Sequence, residues 1–170
     1  MCPMGYEEHK HLSPHQLSCA VLIISDSRDA KTDESGALLV EGLKGARHSV
    51  ASFDFLKNDA EAIKCKLDEL LRREDVQVVI ISGGTGASRR DVTVETVTPM
   101  LEKVLPGFGE LFRTLSFQEI GTGAILSRAL AGAARGRVVI CLPGSVKAVE
   151  LALTKIILPE IGHLVREASR

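Results

Sequence analysis

A chain of 170 residues with 45% hydrophobic content is long enough for one domain around one sizeable core. Its formal net charge of -1 lacks the basic excess of nucleic-acid proteins, and the absence of Trp, with Tyr6 as the one tyrosine, argues against a base-stacking platform. No apolar run approaches the roughly 18 residues of a membrane span, and the N-terminus lacks the basic-then-apolar pattern of a signal peptide.

Residues 1–17 are polar, with Pro3, Gly5, Pro14 and the histidines His9, His11 and His15, and are expected to form a flexible tail. A solvated tail is preferred to a metal site for these histidines. A single domain is expected over 18–170. The β-branched run Cys19–Ser25 predicts a buried strand. Ser35–Lys44, with Leu38, Leu39 and Leu43 on one face, predicts a helix. Ser49–Leu56 reads as a second strand. Asn58 or Asp59 then caps a helix whose apolar stripe is Ile63, Leu67, Leu70 and Leu71. Val76–Ser82 is the third strand. Thr98 and Pro99 predict a helix start, with Leu101, Val104 and Leu105 on the buried side and Pro106-Gly107 as its stop. Phe108–Phe117 reads as a further helix and Arg137–Leu142 as a strand. Ser145 caps a helix running to Leu158, and Pro159 opens a last one to about Glu167.

Strands and helices alternate, and the strands are continuous Val/Ile runs. That combination predicts an α/β domain with a mainly parallel sheet between helical layers. In such folds ligands bind beyond the carboxyl ends of the strands. The loops there are Ser25–Ser35, Lys57–Asp59, Ser82–Asp91 and Leu142–Ser145. The four cysteines, Cys2, Cys19, Cys65 and Cys141, form no CxxC pair, and three lie in or beside apolar runs. A reduced, cytoplasmic setting is the simplest expectation.

The most informative loop runs from Ser82 through Gly83, Gly84, Thr85 and Gly86 to Asp91. Three glycines directly after a strand let the backbone approach a ligand and aim its N–H groups at a phosphate. The P-loop lysine pattern is missing. A plain strand-to-helix turn is the alternative, though it requires fewer glycines. A carboxylate beside a phosphate cradle needs a cation between them, and Mg²⁺ commonly binds through one or two carboxylates plus phosphates. Asp91 is the first candidate. Asp59 and Asp26 are further ones, but spacing alone equally allows a helix cap at Asp59 and a turn residue at Asp26. Arg89, Arg90, Arg113, Arg128 and Lys147 could serve an anionic substrate or merely face solvent. Pro143, Gly144 and Ser145 form a second anion-binding turn at a helix start. No Ser/His/Asp arrangement or Cys nucleophile is evident.

Four ordered runs, SGGTGASRRDVT (Ser82–Thr93), LPGFGELFR (Leu105–Arg113), AILSRALAG (Ala124–Gly132) and CLPGSVKAV (Cys141–Val149), together with ISDS (Ile24–Ser27) and DESG (Asp33–Gly36), resemble the MoaB/Mog family of molybdenum-cofactor biosynthesis, closer to MoaB. The resemblance covers Cys19 to the C-terminus. It implies a three-layer α/β/α fold with a mixed sheet and a trimeric or hexameric homo-oligomer. It also implies molybdopterin as substrate and Mg-ATP as co-substrate: a molybdopterin adenylyltransferase whose product passes to a MoeA-type protein for insertion of molybdenum or tungsten. By the same resemblance, Asp91 and Asp59 are the catalytic, Mg²⁺-binding aspartates. Ser82, Gly83, Gly84, Thr85 and Gly86 cradle phosphates, with Ser25 and Ser27 beside them. Ser127 and Arg128 lie near the pterin, and Pro143, Gly144 and Ser145 near the nucleotide. Asn58 stands where some members have proline. Two other readings compete: a non-catalytic pterin-binding oligomer of the same family, and a CinA-type nucleotide pyrophosphatase.

Overall fold

The computed structural model describes residues 13–27 and 32–170. The β-branched runs form strands as their composition requires: β1 (Ser18–Ile24), β2 (Ser49–Leu56), β3 (Val78–Ser82) and β6 (Arg137–Leu142). They lie parallel, in the order β2-β1-β3-β6. Two short strands, β5 (Leu130–Ala134) and β4 (Lys103–Val104), extend the sheet beyond β6 in antiparallel sense. The sheet is therefore mixed, with six strands.

Both faces of β1, β3 and β6 are buried, whereas β2, at the sheet edge, is only partly covered. Cys19, Val21 and Ile23 of β1 join one core with Val78, Ile80, Val138 and Ile140, and the alternate residues Ala20, Leu22 and Ile24 join a second core with Val79, Ile81 and Cys141. The first core is covered by α1 (Glu34–Gly45), α4 (Pro106–Ile120), α5 (Val146–Ala152) and α6 (Leu158–Ala168), through Leu39, Phe112, Val149 and Ile161 among others. The second is covered by α2 (Ala60–Arg72) and α3 (Thr93–Val97), through Ile63, Leu67, Leu70 and Val97. The period-2 strand pattern and the helical stripes thus meet in a three-layer α/β/α domain, as expected. No helix among the described residues is long and apolar enough to cross a membrane.

Three expectations are corrected. The helix placed after Thr98 lies upstream, at Thr93–Val97, and Pro99 sits in a 3₁₀ turn. Beyond it the chain turns extended, because Glu102 N–H and Leu105 N–H donate to Ala133 and Ala131 carbonyls of β5 at 2.9 and 2.8 Å. Val104 and Leu105 are consequently exposed rather than buried. Pro106 does not stop a helix but opens α4, where its missing N–H costs nothing. Pro159 does not open a separate helix. The chain passes from α5 into α6 through a π-helical stretch, Leu153–Ile157, which accommodates a proline that cannot donate to the preceding turn.

Part of the stretch expected as tail packs against the domain. His9 and His11 lie outside the described residues, and His15 is exposed, but Ser13 and Leu17 are buried. Ser49 N–H donates to the Leu17 carbonyl at 2.8 Å, and Leu17 N–H donates to Nδ1 of the buried His48 at 3.2 Å. Burial pulls the His48 pKa below its ordinary 6.5. The unfolded chain therefore takes up this proton at a higher pH than the folded one. The stability that neutral His48 supplies is complete above about pH 6.5 and is lost as the pH falls through the lower folded value. Urea midpoints at about pH 7.5 and pH 5.5 are expected to drop more in the wild type than in His48→Gln.

Candidate functional site

The parallel strands bring four chain segments to one edge of the sheet. Ser25 N–H donates to the Leu56 carbonyl and Gly83 N–H to the Leu142 carbonyl, each at 2.9 Å, so the ends of β1, β2, β3 and β6 are tied in a row. At this edge lies a cleft of about 500 Å³. It is lined by Ser82 to Gly86, by Ser25, Asp26 and Ser27, by Ser88, Arg90, Asp91, Leu126, Pro143 and Gly144, and by Asn58 just after β2.

The glycines are required by the backbone. Gly83 and Gly84 have φ of 104° and 63°, a region L side chains rarely occupy. A Cβ on Gly83 would run into the Ile24 carbonyl oxygen, and one on Gly84 into Asn58 Oδ1 and Thr93 Oγ1. Thr93 clamps this turn: its Oγ1 donates to the Gly83 carbonyl and its N–H to the Gly84 carbonyl, both at 2.9 Å. Asp91 closes the loop, its Oδ2 accepting from Ser88 N–H at 3.1 Å. A Cβ on Gly86 would come within 2.7 Å of that same oxygen, so the third glycine makes room for the carboxylate.

Of the site residues expected from sequence, Ser25, Ser27, Ser82, Gly83, Gly84, Thr85, Gly86, Asp91, Pro143 and Gly144 line the cleft together. Four do not. Asp59 is exposed and its Oδ1 accepts from Ala62 N–H at 2.8 Å, making it the N-cap of α2. Ser145 caps α5 through Ala148 N–H at 3.3 Å. Together with Ser127 it borders a second pocket of about 300 Å³ that shares Pro143 with the cleft. Arg128 is a brace: it donates to the Gly86 carbonyl at 3.0 Å and pairs with Glu95, whose carboxyl its hydrogen bond holds below the ordinary range. Two residues that shape the site, the Thr93 clamp and Leu126, were not singled out by sequence, although both stood within quoted runs, Thr93 at the end of the glycine loop and Leu126 in AILSRALAG.

Two carboxylates line the cleft, Asp26 and Asp91. Among the described residues neither Asp91 nor Asp26 pairs with a Lys or Arg. Ser82 Oγ and Asn58 Oδ1 are buried without a hydrogen-bond partner. No three His, Cys, Asp or Glu among the described residues could cage a metal by themselves, which leaves one or two carboxylates plus ligand oxygens. The lining contains no His and no Cys, and burial pushes the Cys19 and Cys141 thiols elsewhere in the sheet up to about 12. Asp59→Ala is expected to cost about 1 kcal/mol of stability through the lost cap, read as a lower thermal midpoint.

The family described as probable molybdopterin binding domain matches residues 20–163. A molybdenum cofactor biosynthesis protein B from Bacillus anthracis is 47% identical over 168 residues, covering 98% of this chain and 99% of that protein. The chain belongs to the MoaB/Mog family. Solved MoaB/Mog structures share its fold. A crystal structure of molybdenum cofactor biosynthesis protein B superposes with a TM-score of 0.88 at 47% identity, covering 92% of this chain and 98% of that one. The tungsten cofactor synthesizing protein MoaB from Pyrococcus furiosus superposes at 0.84 with 34% identity, covering 93% and 100%. The MoaB/Mog match begins inside β1 and ends inside α6, so every cleft loop falls within it.

Proposed function

We propose that this chain is a molybdopterin adenylyltransferase, transferring AMP from Mg-ATP to the terminal phosphate of molybdopterin. Kinship with proteins named for molybdenum and tungsten cofactor synthesis supports a role in making that cofactor. The observation that carries the finer reading is the cleft itself, where a glycine cradle is closed by an Asp91 that has no cationic partner among the described residues.

The residues fit a magnesium nucleotide. Asp91 offers the carboxylate, the partnerless Ser82 Oγ and Asn58 Oδ1 await polar company, and the glycines allow the tight turn that lines the cleft. Bound there, Mg²⁺ would supply the positive charge that lets a triphosphate lie beside a carboxylate. In the reaction an oxygen of the molybdopterin phosphate attacks the α-phosphorus of ATP. The bond from that phosphorus to the bridging oxygen breaks, and pyrophosphate leaves with the electron pair. The nucleophile is already ionised near neutral pH, so the step needs no general base, in keeping with a lining free of His and Cys. Backbone N–H groups of Gly84, Thr85 and Gly86, together with Arg90, stabilise charge on the phosphates. Holding both reactants in line contributes on the order of 7–11 kcal/mol at best.

Assembly into a trimer or hexamer and delivery of the product to a MoeA-type protein belong to the same proposal. Exposed Phe117, Ile120, Ile125 and Leu126, on α4 and the turn after it, supply apolar surface for such contacts. Pyrophosphate release from purified protein, molybdopterin, ATP and Mg²⁺ tests the activity. Release well above that of the Asp91→Ala protein is the expected result. Equal release from both would favour a pterin-binding oligomer without catalysis.

A further inference from the structure

We propose that Asp26 is the second carboxylate for the nucleotide's divalent cation, the place that the family resemblance gives to Asp59. The assignment rests on the adenylyltransferase reading and concerns the same cleft.

Three observations carry it. First, Asp26 lines the cleft at the end of β1, whereas Asp59 does not line it and commits its Oδ1 to the Ala62 N–H of its own helix. Second, Asp26 is held: Asn58 N–H donates to its Oδ1 at 3.0 Å across 32 residues of sequence, tying the loop after β1 to the loop after β2. That bond occupies one oxygen and leaves the other available, since among the described residues the carboxylate has no second partner. A carboxylate fixed by a backbone N–H loses little freedom when it takes a cation. Third, a polar group in the same lining awaits a ligand: Ser82 is fully buried, and its Oγ has no partner. Two carboxylates without cationic partners, beside phosphate-facing glycines, repel a triphosphate unless a divalent ion lies between them. Asp59 then acts at one remove, by starting α2 directly after Asn58 and so fixing the N–H that holds Asp26.

The test is Mn²⁺ binding, read by electron paramagnetic resonance, in the presence of saturating α,β-methylene ATP, which cannot transfer AMP. Asp26→Asn keeps an oxygen that accepts from Asn58 N–H, so the loop is preserved, and a thermal melt verifies it. Asp26→Asn is expected to weaken Mn²⁺ binding at least about 10-fold, the loss typical even of groups that only support a metal ligand. Asp59→Asn is expected to keep Mn²⁺ affinity within about twofold, a change no larger than a lost surface charge gives. Unchanged affinity in Asp26→Asn, with Asp91→Asn weakened, would overturn the assignment of Asp26 and leave the function standing. Unchanged affinity in both, or no Mn²⁺ bound by the wild type, would remove the cation from this cleft and with it the proposed function.

Discussion

Asp91→Ala is expected to fold normally and to lose AMP transfer by at least roughly 10²–10³-fold, the scale seen when one group stabilising transition-state charge is removed. Both parts of that expectation come from the geometry. The carboxylate is half-buried on a loop, and its one hydrogen bond among the described residues comes from Ser88 N–H at 3.1 Å. Losing it should change stability by no more than about 1 kcal/mol. In the cleft, however, Asp91 has no cationic partner among the described residues, so its charge is spent on whatever binds there. Pyrophosphate release and a thermal melt on the same preparation separate the two. Full activity in the variant would take Asp91 out of the mechanism, and a collapsed melt would make it structural.

Gly83→Ala should produce the largest stability loss of any single methyl added to the cleft. The residue has φ of 104°, and the new Cβ would point at the Ile24 carbonyl oxygen, which is backbone and cannot swing aside. Gly83 is also tied at both ends, donating to the Leu142 carbonyl and accepting from Thr93 Oγ1 at 2.9 Å each. Left-handed strain and overpacking together suggest about 2–4 kcal/mol. For a chain of this size that is a fall of roughly 5–15 °C in Tm. Gly107→Ala is the matched control, because nothing lies within 4 Å of its added Cβ. It should stay within about 0.5 kcal/mol of wild type.

What could be read from sequence follows from how local each signal is. The runs CAVLII, VVIIS and RVVICL declare themselves as doubly buried strands because both of their faces are apolar. The glycine loop declares itself because few structures need three glycines after a strand. The strand Leu130–Ala134 is silent: LAGAA has no β-branched residue, and it is a strand only because β6 and β4 pair with it. Without it, the stretch after Pro99 looks helical, which is why Val104 and Leu105 were expected inside. The same limit applies at the site. Asp59 and Asp26 both sit in the right loops, but which carboxylate faces the cleft depends on a hydrogen bond between residues 32 apart. Arg128 likewise looks like a substrate ligand until Glu95, 33 residues away, is seen beside it.

The central claim is that one cleft at the sheet edge gathers a nucleotide by means of a glycine cradle and a carboxylate-bound cation. A crystal structure of the protein with Mg²⁺ and α,β-methylene ATP tests it most directly. The expected result is the triphosphate on the backbone of Gly83–Gly86, with Mg²⁺ bridging it to Asp91. A nucleotide seated elsewhere, or phosphates in the cleft with Asp91 turned away and no cation beside it, would contradict the account.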